Sequence, residues 1–194
     1  MESNNEEKIL EKKSNNFSIS SRDEIFIDKS PLSNKPKTKL SNKYSFWFKI
    51  SMNKQMKKIA EFDTIEDFWA IYQHLKKPDN FKERMKMQMT KEDELNKNEG
   101  ILSFLCNKGY TSIIWEEILL GILSGIIPKN ISDNINSIAC ISKNKYNILQ
   151  IYFIKYNQEY NKELEKCIRN ITQMPNEVPI TIKKIIDNDN KENK

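Results

Sequence analysis

The length, composition and charge of the chain argue against several kinds of protein. Its 194 residues, 38% of them hydrophobic and 30% charged, suffice for one domain with a modest core. A formal charge of +5 is compatible with an anionic partner such as RNA but does not require one. Three cysteines without a CxxC pair argue against a disulfide framework, and no apolar run is long enough to span a bilayer. We therefore expect a cytoplasmic protein without membrane contact.

Both ends of the chain have the composition of disordered segments. Residues 1–38 are rich in Asn, Ser, Lys and Glu, and residues 186–194 are almost entirely polar. Such segments cannot bury enough apolar surface to offset the entropy of ordering. The first ten residues also lack a basic segment that leads into an apolar one, so no secretory signal is expected. We predict one folded domain, 39–185, between two disordered tails.

Strand and helix patterns alternate between the tails. Runs of alternating, β-branched or aromatic residues predict seven strands: 44–50, 56–62, 84–90, 101–106, 136–142, 146–154 and 178–186. Helical periodicity predicts three helices after the second, fourth and sixth strands: 65–75, with Asp63 or Thr64 as N-cap, 111–124, and 157–172. The order is not a regular βαβ repeat. We therefore predict an α+β fold, an antiparallel sheet with helices packed on one face.

The first helix carries a tryptophan away from its apolar stripe. Phe68, Ile71 and Tyr72 have the spacing of a core face, whereas Ile65 and Trp69 lie about 100° around the helix. Exposed aromatic and apolar side chains that cluster in this way mark protein interfaces. The alternative is that Trp69 only seals the helix against its neighbour.

Five segments, in chain order, resemble the eukaryotic translation initiation factor 4E family, whose members bind the mRNA cap. They are LSNKYSFWF (40–48), FDTIEDFW (62–69), KEDELNKNEG (91–100), IIWEEILLGILSG (113–125) and VPITIKKI (178–185). FDTIEDFW is the specific motif, and the others gain weight from their order. The resemblance implies a curved antiparallel sheet backed by three helices on its convex face.

The resemblance also implies a protein partner on the convex face. Residues Ile65, Trp69, Glu117 and Leu120 match the family surface that binds an amphipathic helix with a Tyr-x4-Leu-hydrophobic motif. Such helices belong to a 4G-like scaffold factor or to 4E-binding repressors. Glu116 stands where a leucine is usual in the family. The expected protein partner is therefore a scaffold or repressor helix, bound by a monomer of this chain.

The pocket for 7-methylguanosine departs from the family pattern. In the family, two tryptophans stack on the methylated base, because electron-rich indole faces attract a cationic ring. All three tryptophans of this chain, Trp47, Trp69 and Trp115, match structural or partner-facing positions instead. Met52 and Lys91 are the residues of this chain that match the two stacking tryptophans of the family. A lysine there would repel a cationic base, so cap binding is expected to be weakened.

Other cap-binding positions have candidates by resemblance. Glu92 matches the glutamate that accepts hydrogen bonds from the guanine edge, although a solvated loop acid is the alternative. Lys143 and Lys145 match the region that binds the cap phosphates, although a chance match is possible in a lysine-rich chain. The ligand implied by these positions is capped mRNA.

The sequence gives no support for an enzyme, a cofactor or a metal site. One histidine, cysteines without ligand spacing and four glycines leave no metal or phosphate-loop motif. Our first hypothesis is a divergent initiation factor that binds the mRNA cap and a scaffold helix. The second is an interaction module of the same fold that has lost cap binding and acts as a scaffold or competitor. The third is a basic RNA-binding domain without cap selectivity.

Overall fold

The computed structural model describes residues 36–51, 54–91 and 98–185. The chain divides into two compact units, and the description below concerns the second, Lys35–Lys194. The predicted tails, 1–38 and 186–194, lie outside the described residues except for residues 36–38.

Seven antiparallel strands form one curled sheet. They are β1 (Lys39–Lys49), β2 (Lys57–Thr64), β3 (Lys86–Lys91), β4 (Gly100–Asn107), β5 (Ile135–Ser142), β6 (Tyr146–Phe153) and β7 (Ile180–Lys184). Their spatial order is β2-β1-β3-β5-β6-β4-β7, with every neighbouring pair antiparallel. All seven predicted strands are confirmed, as is the α+β class.

Three longer helices accompany the sheet: α1 (Ile65–Tyr72), α2 (Thr111–Leu123) and α4 (Gln158–Thr172). They confirm the three predicted helices. A single-turn helix, α3 (Lys129–Ser132), and a 3-10 turn, Pro78–Asn80, were not predicted because elements this short have no periodicity. Among the described residues, no helix is long and apolar enough to cross a membrane.

One face of the sheet forms the core with the helices. Alternate residues of the five central strands point to this helix face, and one row across it comprises Phe46, Met89, Ile138, Ile151 and Leu102. Every member of the row is at most 2% exposed. The Phe46 ring lies 6.3 Å from the Phe68 ring of α1. The α1 helix is therefore fixed by aromatic packing onto β1.

The opposite face of the same strands, here called the open face, carries a different set of residues. Three rows cross it in register: Lys49, Lys86, Ile141, Ile148 and Leu105; Trp47, Gln88, Ala139, Gln150 and Ser103; Ser45, Thr90, Ser137, Tyr152 and Ile101. Because side chains alternate between faces along a strand, none of these residues contributes to the helix face. The open face is thus the polar and basic side of the sheet.

A glycine at the start of β4 tests the packing on the helix face. A Cβ atom at Gly100 would overlap the ring of Phe153, the residue of β6 that pairs with Gly100. We expect Gly100→Ala to lower the free energy of unfolding by about 1–3 kcal/mol, because the buried ring must shift. Urea denaturation measures this change. Ser103→Ala, on the open face of the same strand, is the control and should stay within about 0.5 kcal/mol of the parent. Equal losses in both variants would contradict the close packing.

Candidate binding surfaces on the two faces of the sheet

The start of α1 is fixed by a capped and charge-paired turn. Thr64 is the N-cap, and its Oγ1 accepts a hydrogen bond from the backbone N of Asp67 at 3.1 Å. The same hydroxyl donates to Asp67 Oδ2 at 2.7 Å, and Lys37 Nζ lies 2.6 Å from Asp67 Oδ1. The hydrogen bond from Lys37 lowers the pKa of Asp67. Glu66 in the same turn accepts from the backbone N of Thr38 at 2.8 Å, so two helix-start acids hold the segment before β1 against α1.

Trp69 lies on the outer side of this helix and is 42% exposed. Its ring packs edge-on against Phe68, at 5.1 Å, and against Tyr72, at 6.0 Å. These contacts fix the orientation of the indole while leaving much of it in solvent. The predicted exposure of Trp69 is therefore confirmed, whereas its role in binding stays a prediction. Ile65, four residues earlier, is half-buried.

Tyr72 of α1 and Lys77, which follows this helix, connect α1 to α2. Lys77 Nζ lies 3.4 Å from the centroid of the Tyr72 ring and 3.4 Å from Glu116 Oε2. Burial, and then the nearby Glu116 carboxylate, raise the pKa of Tyr72. Glu116 is therefore part of the contact between the two helices. Since Trp69 packs on Tyr72, this contact connects the aromatic side chains of α1 to Glu116 of α2.

One line of residues on α2 continues the outer surface. Glu117 and Leu120 are half-buried, and Ser124 Oγ donates to the Leu120 carbonyl at 2.6 Å. Ile113 precedes them at the same helical spacing and is 58% exposed. Sequence reasoning missed Ile113, although its i, i+4, i+7 relation to Glu117 and Leu120 was the signal that could have found it. Glu117 forms no ion pair with any of the described residues.

A cleft of about 270 Å³ lies beside Ser124. It is formed by the start of β1, the end of α2 and the segment around α3, and its lining includes Leu40, Tyr44, Ile122, Ile127 and Asp133. Both apolar and polar groups face it. The end of α2 therefore borders a depression in the surface.

The cap-binding candidates are only partly within the described residues. Met52 and Glu92 lie outside them, so their roles stay predictions. Lys91 ends β3, and its Nζ lies 3.5 Å from the carbonyl oxygen of Asp133. By strand alternation Lys91 shares the helix face with Met89, not the open face.

Lys143 and Lys145 lie in the turn between β5 and β6. The backbone N of Lys143 donates to the Tyr146 carbonyl at 3.0 Å, which closes this hairpin. Lys143 is half-buried and Lys145 exposed. The structure thus brings these two lysines together at one end of the sheet, and their contact with phosphate stays a prediction.

The middle of the open face contains buried polar side chains that bond to one another. Gln88 Nε2 donates to Thr90 Oγ1 at 3.3 Å and to Ser137 Oγ at 3.1 Å. Tyr152 donates to Gln150 Oε1 at 2.8 Å. The bond from Gln88 to Ser137 joins β3 to β5, whereas the other two lie within β3 and within β6.

The described residues contain no group of three His, Cys, Asp or Glu side chains that could hold a metal ion. Their three cysteines are free, and burial raises the pKa of the Cys106 thiol to about 12. Neither metal chemistry nor a reactive thiol is therefore suggested by this part of the chain.

Comparison with known proteins places the chain in a family. The family model described as eukaryotic initiation factor 4E matches residues 39–194. The chain belongs to this family. Among curated relatives, initiation factor 4E of Xenopus laevis is 33% identical over 81 residues, or 36% of this chain and 38% of the relative. Initiation factor 4E1 of Drosophila melanogaster is 27% identical over 135 residues, or 62% and 51%. The chain spans about half the length, or less, of the curated relatives it matches.

Solved structures of 4E-family proteins have the same fold. Ascaris suum eIF4E-3 with an m7G cap has a TM-score of 0.70 at 18% identity, over 78% of this chain and 93% of that chain. Caenorhabditis elegans eIF4E-3, in complex with the 4E-binding protein Mextli and a cap analog, also has a TM-score of 0.70 at 18% identity, over 76% and 92%. The family and the fold implied by the sequence resemblance are thereby confirmed.

The capped turn of the 4E-like helix α1 gives a stability prediction. We expect Thr64→Ala to lower the free energy of unfolding by about 1 kcal/mol, because the Asp67 N–H is deprived of its side-chain acceptor. Thr64→Ser keeps the hydroxyl and is the matched control, with a smaller loss. Thermal or urea unfolding measures both. A loss in the serine variant as large as in the alanine variant would assign the effect to the buried methyl group instead of the cap.

Proposed function

We propose that this chain is a translation initiation factor that binds the 7-methylguanosine cap of mRNA on the open face and a scaffold or repressor helix on α1 and α2. It acts in the cytoplasm, as a binding protein and not as an enzyme. The observation that carries the proposal is the exposed Trp69, within FDTIEDFW, on the back of a sheet whose other face has polar and basic side chains.

The chemistry of the outer α1–α2 surface suits an amphipathic helix. Trp69 on α1 and Ile113 on α2 have exposed apolar side chains. The half-buried Ile65 lies one turn before Trp69, and the half-buried Leu120 lies two turns after Ile113, so each shares a helix face with its exposed neighbour. Glu117, without an ion pair among the described residues, can accept hydrogen bonds from a partner. The cleft beside Ser124 can receive a partner side chain that extends past the end of α2. A Tyr-x4-Leu-hydrophobic helix supplies the apolar anchors that such a surface requires.

The open face is the proposed nucleotide site. Its polar floor includes the hydrogen-bonded side chains of Gln88 and Tyr152, and Lys143 and Lys145 flank one end. Two proteins of the same fold have been solved with cap ligands. Glu92 is proposed to recognise the guanine edge, with Met52 at one stacking position. Lys91, which sequence resemblance assigned to the other stacking position, lies on the helix face and is not part of the proposed site.

One observation favours the second candidate, an interaction module without cap binding. The aromatic ring available on the described part of the open face of β1 is Trp47, and Lys58 Nζ lies 5.8 Å from its centroid. A lysine near the ring competes with a cationic base for the indole face. A scaffold or competitor that retains only the helix-binding surface would tolerate this arrangement.

Substitution of Trp69 tests the helix partner. We expect Trp69→Ala to weaken binding of a Tyr-x4-Leu-hydrophobic peptide at least about 30-fold, since aromatic anchors at interface centres contribute about 2 kcal/mol or more. Calorimetry with the purified protein measures the affinity. Leu105→Ala, which removes an apolar side chain of similar exposure from the open face, is the matched control and should leave the affinity unchanged. Equal affinities for parent and Trp69→Ala would reject the proposed surface.

Substitution of Glu92 tests cap recognition. We expect Glu92→Ala to weaken binding to 7-methyl-GTP by about tenfold or more, because the charge-assisted hydrogen bonds from guanine to the carboxylate are removed. Glu94→Ala removes the same charge two residues away and serves as control. Retention on cap resin, with GTP as competitor, and calorimetry provide the readouts. Peptide binding without any cap retention by the parent protein would favour the second candidate.

A further inference from the structure

Two lysines face each other on the open face. Lys49, the last residue of β1, pairs in register with Lys86, the first residue of β3. Directly opposed residues in an antiparallel pair have closely spaced Cβ atoms, so like charges there repel each other. Both side chains are half-buried, which reduces their screening by solvent. The two charges are therefore close together in a poorly solvated position.

No described carboxylate neutralises this pair. Three lysines in and before the first half of β1 have acidic partners at 2.6 Å: Lys37 with Asp67, Lys39 with Asp63 and Lys43 with Glu61. By contrast, neither Lys49 nor Lys86 forms an ion pair with any of the described residues, and the three open-face rows contain no Asp or Glu. Burial, and then the charge of Lys49, lower the pKa of Lys86. The protonated form of Lys86 is thus disfavoured unless an anion is present.

The side chain of Lys86 is directed towards the middle of the open face. Its Nζ lies 5.4 Å from the centroid of the Tyr152 ring, two strands away on β6. Ala139, on β5 between them, is fully buried although it is on the open face, so neighbouring side chains cover it. The ammonium group and the ring therefore lie above a small residue, on the floor held by Gln150 and Tyr152. Lys86 and Tyr152 are each half-buried, so part of both side chains is in contact with solvent on this face.

We propose that Lys49 and Lys86 form a phosphate-binding site for the nucleotide on the open face. The inference deepens the proposed function and rests on its assignment of this face to a nucleotide. Phosphate oxygens carry the negative charge that the pair lacks and accept hydrogen bonds from both ammonium groups. A cationic methylated base at the same position would instead be repelled. The site therefore selects phosphate groups and does not favour the methyl group of the cap.

The location of the pair is consistent with an extended phosphate chain. Lys86 pairs with Ile141 on β5, and the backbone N of Arg84 donates to the Ser142 carbonyl at 2.8 Å. The β5–β6 turn that contains Lys143 follows directly. The Lys49–Lys86 pair and the predicted phosphate ligands of that turn thus lie at the same end of the sheet. Successive phosphates can run from the pair towards the turn.

Calorimetry with four probes tests the site: inorganic tripolyphosphate, GTP, 7-methyl-GTP and the nucleoside 7-methylguanosine. The full-length protein is compared with Lys49→Gln, Lys86→Gln and the double variant. Each single substitution should weaken binding of all three phosphate-bearing probes about tenfold, and the double variant more. Binding of the nucleoside should not weaken. In the double variant, the affinity for the phosphate-bearing probes should also fall less steeply as salt is added, because two of the screened charge pairs are gone.

Lys183→Gln is the matched control, because Lys183 pairs with Ile101 at the far side of the open face and carries the same charge. It should leave all four affinities unchanged. If Lys183→Gln and the double variant lost affinity for the phosphate-bearing probes to the same extent, the effect would come from net charge alone and the proposal would be overturned. So would phosphate-probe affinities that do not change in the double variant. Far-ultraviolet circular dichroism and urea midpoints confirm that each variant folds.

The probes separate this inference from the proposed function. If the parent protein binds 7-methylguanosine selectively, yet the lysine variants do not affect the phosphate probes, cap binding stands and the phosphate site is wrong. If tripolyphosphate binds through both lysines while the methylated base adds no affinity, the phosphate site stands and cap recognition is wrong. If none of the four probes binds, the open face is not a nucleotide site and both are wrong.

Discussion

A β-sheet with two chemically different faces is the constraint on which this structure depends. Side chains alternate between the faces along each strand, so one register assigns every residue of the central strands to a side. Phe46, Met89 and Ile138 meet in a row beneath the helices, while their neighbours Trp47, Gln88 and Ala139 meet on the open face. A shift of one residue would exchange these rows and bury the open-face polar side chains beneath the helices. The apolar row therefore determines what the open face can contain.

The outer surface of the helices follows from the same register. Phe46 packs against both Phe68 and Tyr72 of α1, with ring centroids 6.3 Å apart in each case. Once those two rings are bound to the sheet, the geometry of an α-helix rotates Trp69 about 100° away from Phe68. Thr64 fixes where the helix begins, and thus which residue occupies that angle. The exposure of the Trp69 indole is therefore a consequence of core packing and of the helix cap, and no further contact is required to explain it.

Local patterns in the sequence were sufficient for much of the fold. Alternation identified all seven strands, and helical spacing identified the three longer helices, because both depend on neighbours within a few residues. The position of Trp69 away from the core stripe was predictable for the same reason, whereas its exposure was implied by the family resemblance. Helix α3 has four residues, too few for a period. Ile113 is 58% exposed because no described part of the chain packs over it, and helical spacing alone does not reveal such an absence.

The Lys49–Lys86 pair was inaccessible to sequence reasoning for a different reason. The two residues are separated by 36 intervening positions, and their pairing depends on the register of β1 with β3. Lys91 illustrates the same dependence, since its alternation places it with Met89 on the helix face while the family resemblance assigned it to the nucleotide side. Register is a property of the folded sheet, and one residue of difference moves a charge from one face to the other.

The distribution of charge separates the two proposed binding surfaces. Around α1, acids such as Glu66 and Asp67 are held by hydrogen bonds and by Lys37, so that edge is locally neutralised. Its exposed apolar groups can then contact a partner without a large electrostatic cost of desolvation. On the open face, Lys49 and Lys86 form no ion pair with any of the described residues, so their positive charge persists there. Because β1 contributes Phe46 to one side and Lys49 to the other, a single strand supports an apolar contact and an ionic one. Binding at the first should depend weakly on salt, and binding at the second strongly.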